Sequence, residues 1–258
     1  MKNPMLYGFA RAAAALLLAA PANLQAQRGG RAAQTPQEAA PVDLTGYWVS
    51  VVTEDWRYRM MTPAKGDYPS IPLNPEGRKI AAAWDPARDE AAGEQCKGYG
   101  AGAIMRLPGR IHITWQDANT LKVETDTGQQ TRLFHFVRPG PAPPDSEAPS
   151  WQGYSAAQWE YPGGRGARGS EAQGGSLKVV TTHLKPGYLQ KNGVPYGAGA
   201  VVTEHFDALN PEANSDQWLL ITTLVDDPQY LARPFQRSTH FKRLPGAQGW
   251  DPQPCSAK

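Results

Sequence analysis

The sequence predicts an all-β protein: a single antiparallel β-barrel with a long excursion, acting as lid or plug, that contains one short helix. Three observations predict it. From residue 110 onward apolar residues recur at every second position, the period of a half-buried strand. Short runs of this kind follow one another with turn residues and almost no helix between them, the pattern of an antiparallel sandwich or barrel. Once a cleaved leader is set aside, roughly 230 residues remain, a length that one all-β domain often reaches.

In chain order, residues 1–26 carry the three parts of a secretory signal peptide. Lys2 and Arg11 give a positive start, residues 12–20 are apolar, and "LQA" precedes Gln27 as a small-residue cleavage site. A membrane anchor needs about 20 apolar residues, so no integral membrane segment is expected after removal, and no cysteine follows to carry a lipid. The expected location is the periplasm or the exterior. Residues 27–42 lack periodic apolar positions and are expected to form a flexible leader. Losing Lys2 and Arg11 takes the 26 basic residues down to 24, equal to the 24 acidic ones. With no dense basic cluster beyond the short "GGRGARG", no nucleic-acid partner is expected. Cys96 and Cys255, an even pair in an exported chain, are expected to form a disulfide that ties a tail, residues 246–258, onto an early loop.

The barrel domain is expected over residues 43–245. Its first strand is residues 47–52. The excursion of residues 53–102 has one helix signal: Asn74 as cap, Pro75 in the first turn, "EGRKIAAAW", and a stop at Asp85-Pro86. Such a length exceeds a plain connection. In "RIHITWQ" and "TLKVETD" a three-residue turn at Asp117-Ala118-Asn119 pairs 112 with 124 and 116 with 120. That register gathers Ile111, Ile113, Trp115, Leu121 and Val123 on one face. The other face alternates in charge (Arg110, His112, Glu124, Asp126, with Arg132 beyond) and is expected to be solvated. Further strands are expected at 130–137, 155–160, 176–184, 200–206, 217–226 and 235–243.

Gly46-Tyr47-Trp48 on the first strand and Arg243 near the end of the last one resemble the seam of lipocalin-type (calycin) barrels, where a Gly-x-Trp tryptophan packs on a terminal basic residue. The resemblance implies a lipocalin-like barrel; a β-sandwich with an ordinary core tryptophan is the alternative. The chain also resembles a family of uncharacterised exported bacterial proteins in Ser155 to Glu160, "LKVVTT" at 177–182, "EHF" at 204–206, and "DDP" with Pro234-Phe235. It departs by inserting "YPGGRGARGSEAQGGS" before Leu177. That family implies export and a β-barrel, and no reaction.

"GRGARG" at 164–169 satisfies G-x-G-x-x-G but lacks the strand before and the helix after it, so it is expected to be a surface loop. "GYSAA" at 153–157 is no nucleophile elbow, because the chain offers no α/β sheet to hold one. All five histidines fall in expected strands. By alternation His112, His205 and His240 face solvent, whereas His135, His183, Glu204 and Arg237 face inward.

Buried ionisable groups are costly unless paired. These four therefore form either a salt-bridged core, with Glu204 on Arg237, or a polar ligand site. A metal held by His135, His183 and Glu204 has no supporting spacing, and no metal or cofactor is expected. The expected function is capture of a small, partly apolar ligand lined by Trp48, Trp115 and Phe206. Tyr188 and Tyr196, in the long 184–199 connection, would cover the opening. One alternative is an enzyme on the same scaffold, a lyase, isomerase or hydrolase. There Glu204 or His183 would be the general base, Arg237 the anion stabiliser, and His135 a further catalytic candidate. Another is a structural, envelope-associated protein with a filled core.

Overall fold

Alternating side chains form the strands of a closed barrel. The computed structural model describes residues 34–136, 148–162, 174–209 and 217–258. The expected signal peptide, residues 27–33 of the leader and the "GRGARG" loop lie outside the described residues. Strands β1 (Gly46–Ser50), β2 (Arg110–Asp117), β3 (Thr120–Thr125), β4 (Thr131–Phe136), β5 (Tyr154–Glu160) and β6 (Ser176–Thr182) are followed by a separate small hairpin, β7 (Gly187–Gln190) and β8 (Val194–Tyr196). Then come β9 (Val201–Leu209), β10 (Trp218–Asp226) and β11 (Phe235–Leu244).

The barrel order is β1-β11-β10-β9-β6-β5-β4-β3-β2. Nine strands cannot close with antiparallel pairs alone, because direction must reverse an even number of times around the ring. The parallel pair is β4 with β5. This corrects the fully antiparallel expectation and departs from the eight-stranded lipocalin barrel.

The hairpin register is the expected one, with His112 opposite Glu124 and Ile113 opposite Val123. Near the turn Asp117 rather than Gln116 pairs with Thr120, because a bulge between Trp115 and Asp117 absorbs one residue. At the seam Trp48 pairs directly with Arg243, whose guanidinium lies 5.4 Å from the centre of the indole ring. Trp48 Nε1 donates to the Leu44 carbonyl at 3.0 Å, and Arg243 Nη2 donates to the Thr45 carbonyl at 2.9 Å.

The excursion, which in the structure runs from β1 to β2 over residues 51–109 rather than 53–102, holds α1 (Trp56–Arg59), α2 (Pro75–Ala82), α3 (Pro86–Ala91) and 3₁₀ turns at Gln95–Tyr99 and Ile104–Arg106, where one helix was expected. Asn74 caps α2, its Oδ1 accepting from the Gly77 amide at 2.8 Å. Asp85-Pro86 does end α2, but it also starts α3. Asp85 Oδ1 accepts from Ala87 N at 3.0 Å, and Pro86 takes the first helical position, the preferred pairing for a helix start.

Inward side chains divide into two apolar clusters. One joins Trp48, Ile113, Phe134, Phe206 and Phe241 with Tyr99, Ile104 and Met105 of the excursion, so the excursion plugs the barrel. The other joins Leu184, Tyr196, Val202 and Phe235 with Ile71, Leu73 and Ala81, covering the end where β9 begins and β10 finishes. Residues 34–42, expected to be flexible, lie on the barrel: Trp159 Nε1 donates to the Pro36 carbonyl and Tyr161 Oη to the Ala39 carbonyl, both at 2.8 Å. The Cys96–Cys255 disulfide ties the tail down, and such a bridge fits an oxidising compartment. Among the described residues no helix is long and apolar enough to cross a membrane.

Candidate functional site

Between the two apolar clusters the barrel wall turns polar on its inner side. Ser155, Thr181, Glu204, Thr223 and Thr239, from five strands, are all buried there. Arg132 joins them from β4 with 1% of its surface exposed. Its Nη1 donates to Glu204 Oε1 at 3.0 Å and its Nη2 to Glu204 Oε2 at 2.6 Å, a two-pronged pair between fully buried side chains. Nη2 also reaches Thr181 Oγ1 at 3.2 Å, and Thr181 and Ser155 share a hydrogen bond at 2.8 Å.

Glu204 therefore lies inside as expected, but its partner is Arg132, not Arg237. Arg132 was placed on the solvated face, yet it sits directly opposite Val123, and cross-strand partners share a side of the sheet. Arg237 is opposite Thr223 on the inner side, but its chain is half-buried and leaves the barrel end to donate to Ser70 Oγ. His135 is on the outer side, half-buried, stacked on Tyr154 with ring centres 5.0 Å apart. His183 is exposed, because β6 ends at Thr182 and a left-handed backbone (φ 56°) turns the next side chain out, sending Leu184 inward instead. The four inward candidates thus have four different surroundings, and His135, His183 and Glu204 do not converge on a metal position.

The ligand-lining candidates are packed into the core. Trp48 is 1% exposed and Phe206 fully buried; Trp115 is half-buried against Phe136 and Trp159. The 184–199 connection is the β7–β8 hairpin rather than a loop. Tyr196 is fully buried, close enough to Arg132 to feel its charge, and burial raises its phenol above the usual value. Tyr188 instead donates to Asp89 Oδ2 at 2.8 Å. The tyrosines share no opening with His183.

A cleft of about 180 Å³ lies where the excursion meets β7. Arg59 and Met60 to Pro63 enter it from the end of α1, Tyr99 and Arg106 from the two 3₁₀ turns, and Leu189 to Lys191 from the end of β7 and the turn after it. Arg59 is buried; its Nε donates to the Arg106 carbonyl at 3.0 Å and its Nη1 to the Val51 carbonyl at 2.6 Å. Arg106 is also buried, and its Nη2 meets Asp55 Oδ2 at 3.0 Å. Desolvation is the main force pulling Arg106 down to about 10, so it stays charged at neutral pH. Lys191 Nζ bonds Tyr99 Oη at 3.1 Å. Met60 and Met61, by contrast, are more than half exposed at the rim.

None of these cleft residues was singled out by sequence. Their separation along the chain hides them, and the only cue is an Arg-Tyr-Arg-Met-Met run in an otherwise unpatterned stretch. No family model, curated protein or solved structure matches this chain.

Proposed function

We propose that this chain is an exported binding protein, periplasmic or secreted, that holds a small, partly apolar molecule at the mouth of a barrel whose closing seam is lipocalin-like. The cleft carries this reading. It combines an apolar rim (Met60, Met61) with buried cations (Arg59, Arg106), the mix of apolar wall and few polar anchors that ligand sites have. The mouth is preferred to the interior because Trp48 and Phe206 pack against neighbouring core side chains. Catalysis by Glu204 is the weaker reading, since both of its oxygens are engaged by Arg132. The packed interior itself favours a structural, envelope-associated role as the competing reading.

Native mass spectrometry of protein purified from its own host separates the two. A retained molecule, lost on denaturation, is expected. A bare chain that also fails to bind any of a broad panel of small molecules would leave the structural role.

A further inference from the structure

The lining of the cleft specifies the class of ligand, an inference that rests on the binding role proposed above. Three cations line it, Arg59, Arg106 and Lys191, and among the described residues no acidic side chain does, although Lys191 Nζ already bonds the main-chain carboxylate of Lys258. Asp55 pairs with Arg106, and Glu54 acts on Arg59 through its charge, but neither faces the cleft. Arg59 is 7% exposed and Arg106 8%. Arg59 directs Nε and Nη1 at backbone carbonyls, which leaves Nη2 buried without an acceptor among the described residues. The guanidinia of Arg237 and Arg59 also repel that of Arg106. A buried donor without a partner and crowded like charges are both relieved by an anion that accepts from guanidinium, as a carboxylate does.

Size and wall chemistry narrow the rest of the molecule. An apolar cavity of about 150 Å³ admits benzene, so a cleft of about 180 Å³ has room for one ring with a short arm. The apolar wall includes Met60, Met61 and Leu189. Methionine sulfur makes favourable contacts with aromatic rings, often at the ring edge. Gln190 adds a buried Oε1 without a donor among the described residues, where a ring hydroxyl would be welcome. We infer that the cleft binds a small aromatic monocarboxylate, its carboxylate on Arg59 and Arg106 and its ring against Met60 and Met61.

Methyl NMR of the full chain labelled at methionine tests this directly, with Met105, 1% exposed in the barrel core, as the internal reference. Titrated phenylacetate should shift the Met60 and Met61 methyls and leave Met105 in place. The neutral isostere phenylacetamide should bind at least ten-fold more weakly. Met61→Asp, at a position 62% exposed and so safe for folding, removes a ring contact from both ligands but adds a negative charge that only the acid feels, so it should weaken phenylacetate several-fold more than it weakens the amide. Arg59→Lys, checked for a normal melt, should remove most of the preference for the carboxylate; if it does not fold, Met61→Asp decides. Equal affinity for acid and amide overturns the inference. So does a complete lack of shifts; a molecule retained in the native mass spectrum would then still uphold the binding role, whereas a bare chain would remove both.

Discussion

Removing the Arg132 guanidinium would leave the Glu204 carboxylate buried and unpaired, with Thr181 deprived of one partner as well. Breaking one side of a buried pair typically costs about 3–5 kcal/mol, whereas replacing both sides by apolar groups is often neutral. Arg132→Met should therefore lower stability in urea unfolding by about 3–5 kcal/mol, and Arg132→Met with Glu204→Leu should recover most of it. A single variant within about 1 kcal/mol of wild type would mean that Glu204 is not left as an uncompensated buried charge. Glu204 was legible because Val202 and Phe206 flank it on an unmistakable apolar face. Arg132 was not, because β4 is apolar on both sides: Leu133 competes with Phe134 and Phe136, and alternation alone gives no direction. The deciding cue was the hairpin register, which sets Arg132 opposite buried Val123. His183 failed for a different reason, since alternation has no meaning past a left-handed residue.

The excursion is held by local devices, each open to test. Besides capping α2, Asn74 donates Nδ2 to the carbonyls of Gln229 (2.9 Å) and Pro228 (3.4 Å), so Asn74→Ala should cost more than the roughly 1 kcal/mol of an ordinary cap. Chemical denaturation measures it, and a smaller loss would mean that the cross-links to the 228–229 turn contribute nothing. Gly77 inverts a general rule. Glycine-to-alanine inside a helix usually helps by up to about 1 kcal/mol, but here the added Cβ would collide with the Tyr230 carbonyl, so Gly77→Ala should lower the melting temperature.

Further along, burial tends to pull the Lys97 ammonium down, but its hydrogen bonds with Glu94 and Asp89 win and hold it above its ordinary value. A base whose folded value is raised stabilises the fold fully below its unfolded value, 10.5, and loses that stabilisation as pH climbs through the folded one. The melting-temperature gap between wild type and Lys97→Met should thus be steady up to about pH 10 and shrink above it. A gap that does not move with alkaline pH would show that the charge is not what Lys97 contributes. Sequence exposed α2 through its cap and proline, yet hid α3, because Asp-Pro signals an end and a start equally well.

At the scale of the whole molecule, the barrel was legible because alternation and the paired seam residues, Trp48 and Arg243, are local or parity-based signals. Strand number was not: nothing in a strand's own residues states whether its neighbour runs with or against it, and β5 beside β4 is parallel. The disulfide was legible from the cysteine count, and its mechanical meaning follows from the fold. Cys96 follows α3 in the plugging excursion, and Cys255 ends a tail that also hydrogen-bonds the barrel through Gln253 N to the Asp126 carbonyl at 2.9 Å. The two cysteines are 159 positions apart. On the chain-entropy model, closing a loop of that size restricts the unfolded chain by about 4–5 kcal/mol, an upper value because denatured chains are already partly compact. The same tail abuts the cleft, where Ser256 N donates to Tyr99 Oη at 3.3 Å and Lys191 Nζ reaches the main-chain carboxylate of Lys258. Cys96→Ser with Cys255→Ser should therefore do two separable things. Unfolding in guanidinium should shift to lower concentration by an amount within that upper value. At concentrations where the variant is still fully folded, phenylacetate should also bind more weakly, because freed tail residues no longer hold Tyr99 and Lys191. Lost stability with unchanged binding would confine the bridge to restraining the unfolded chain and separate the tail from the cleft.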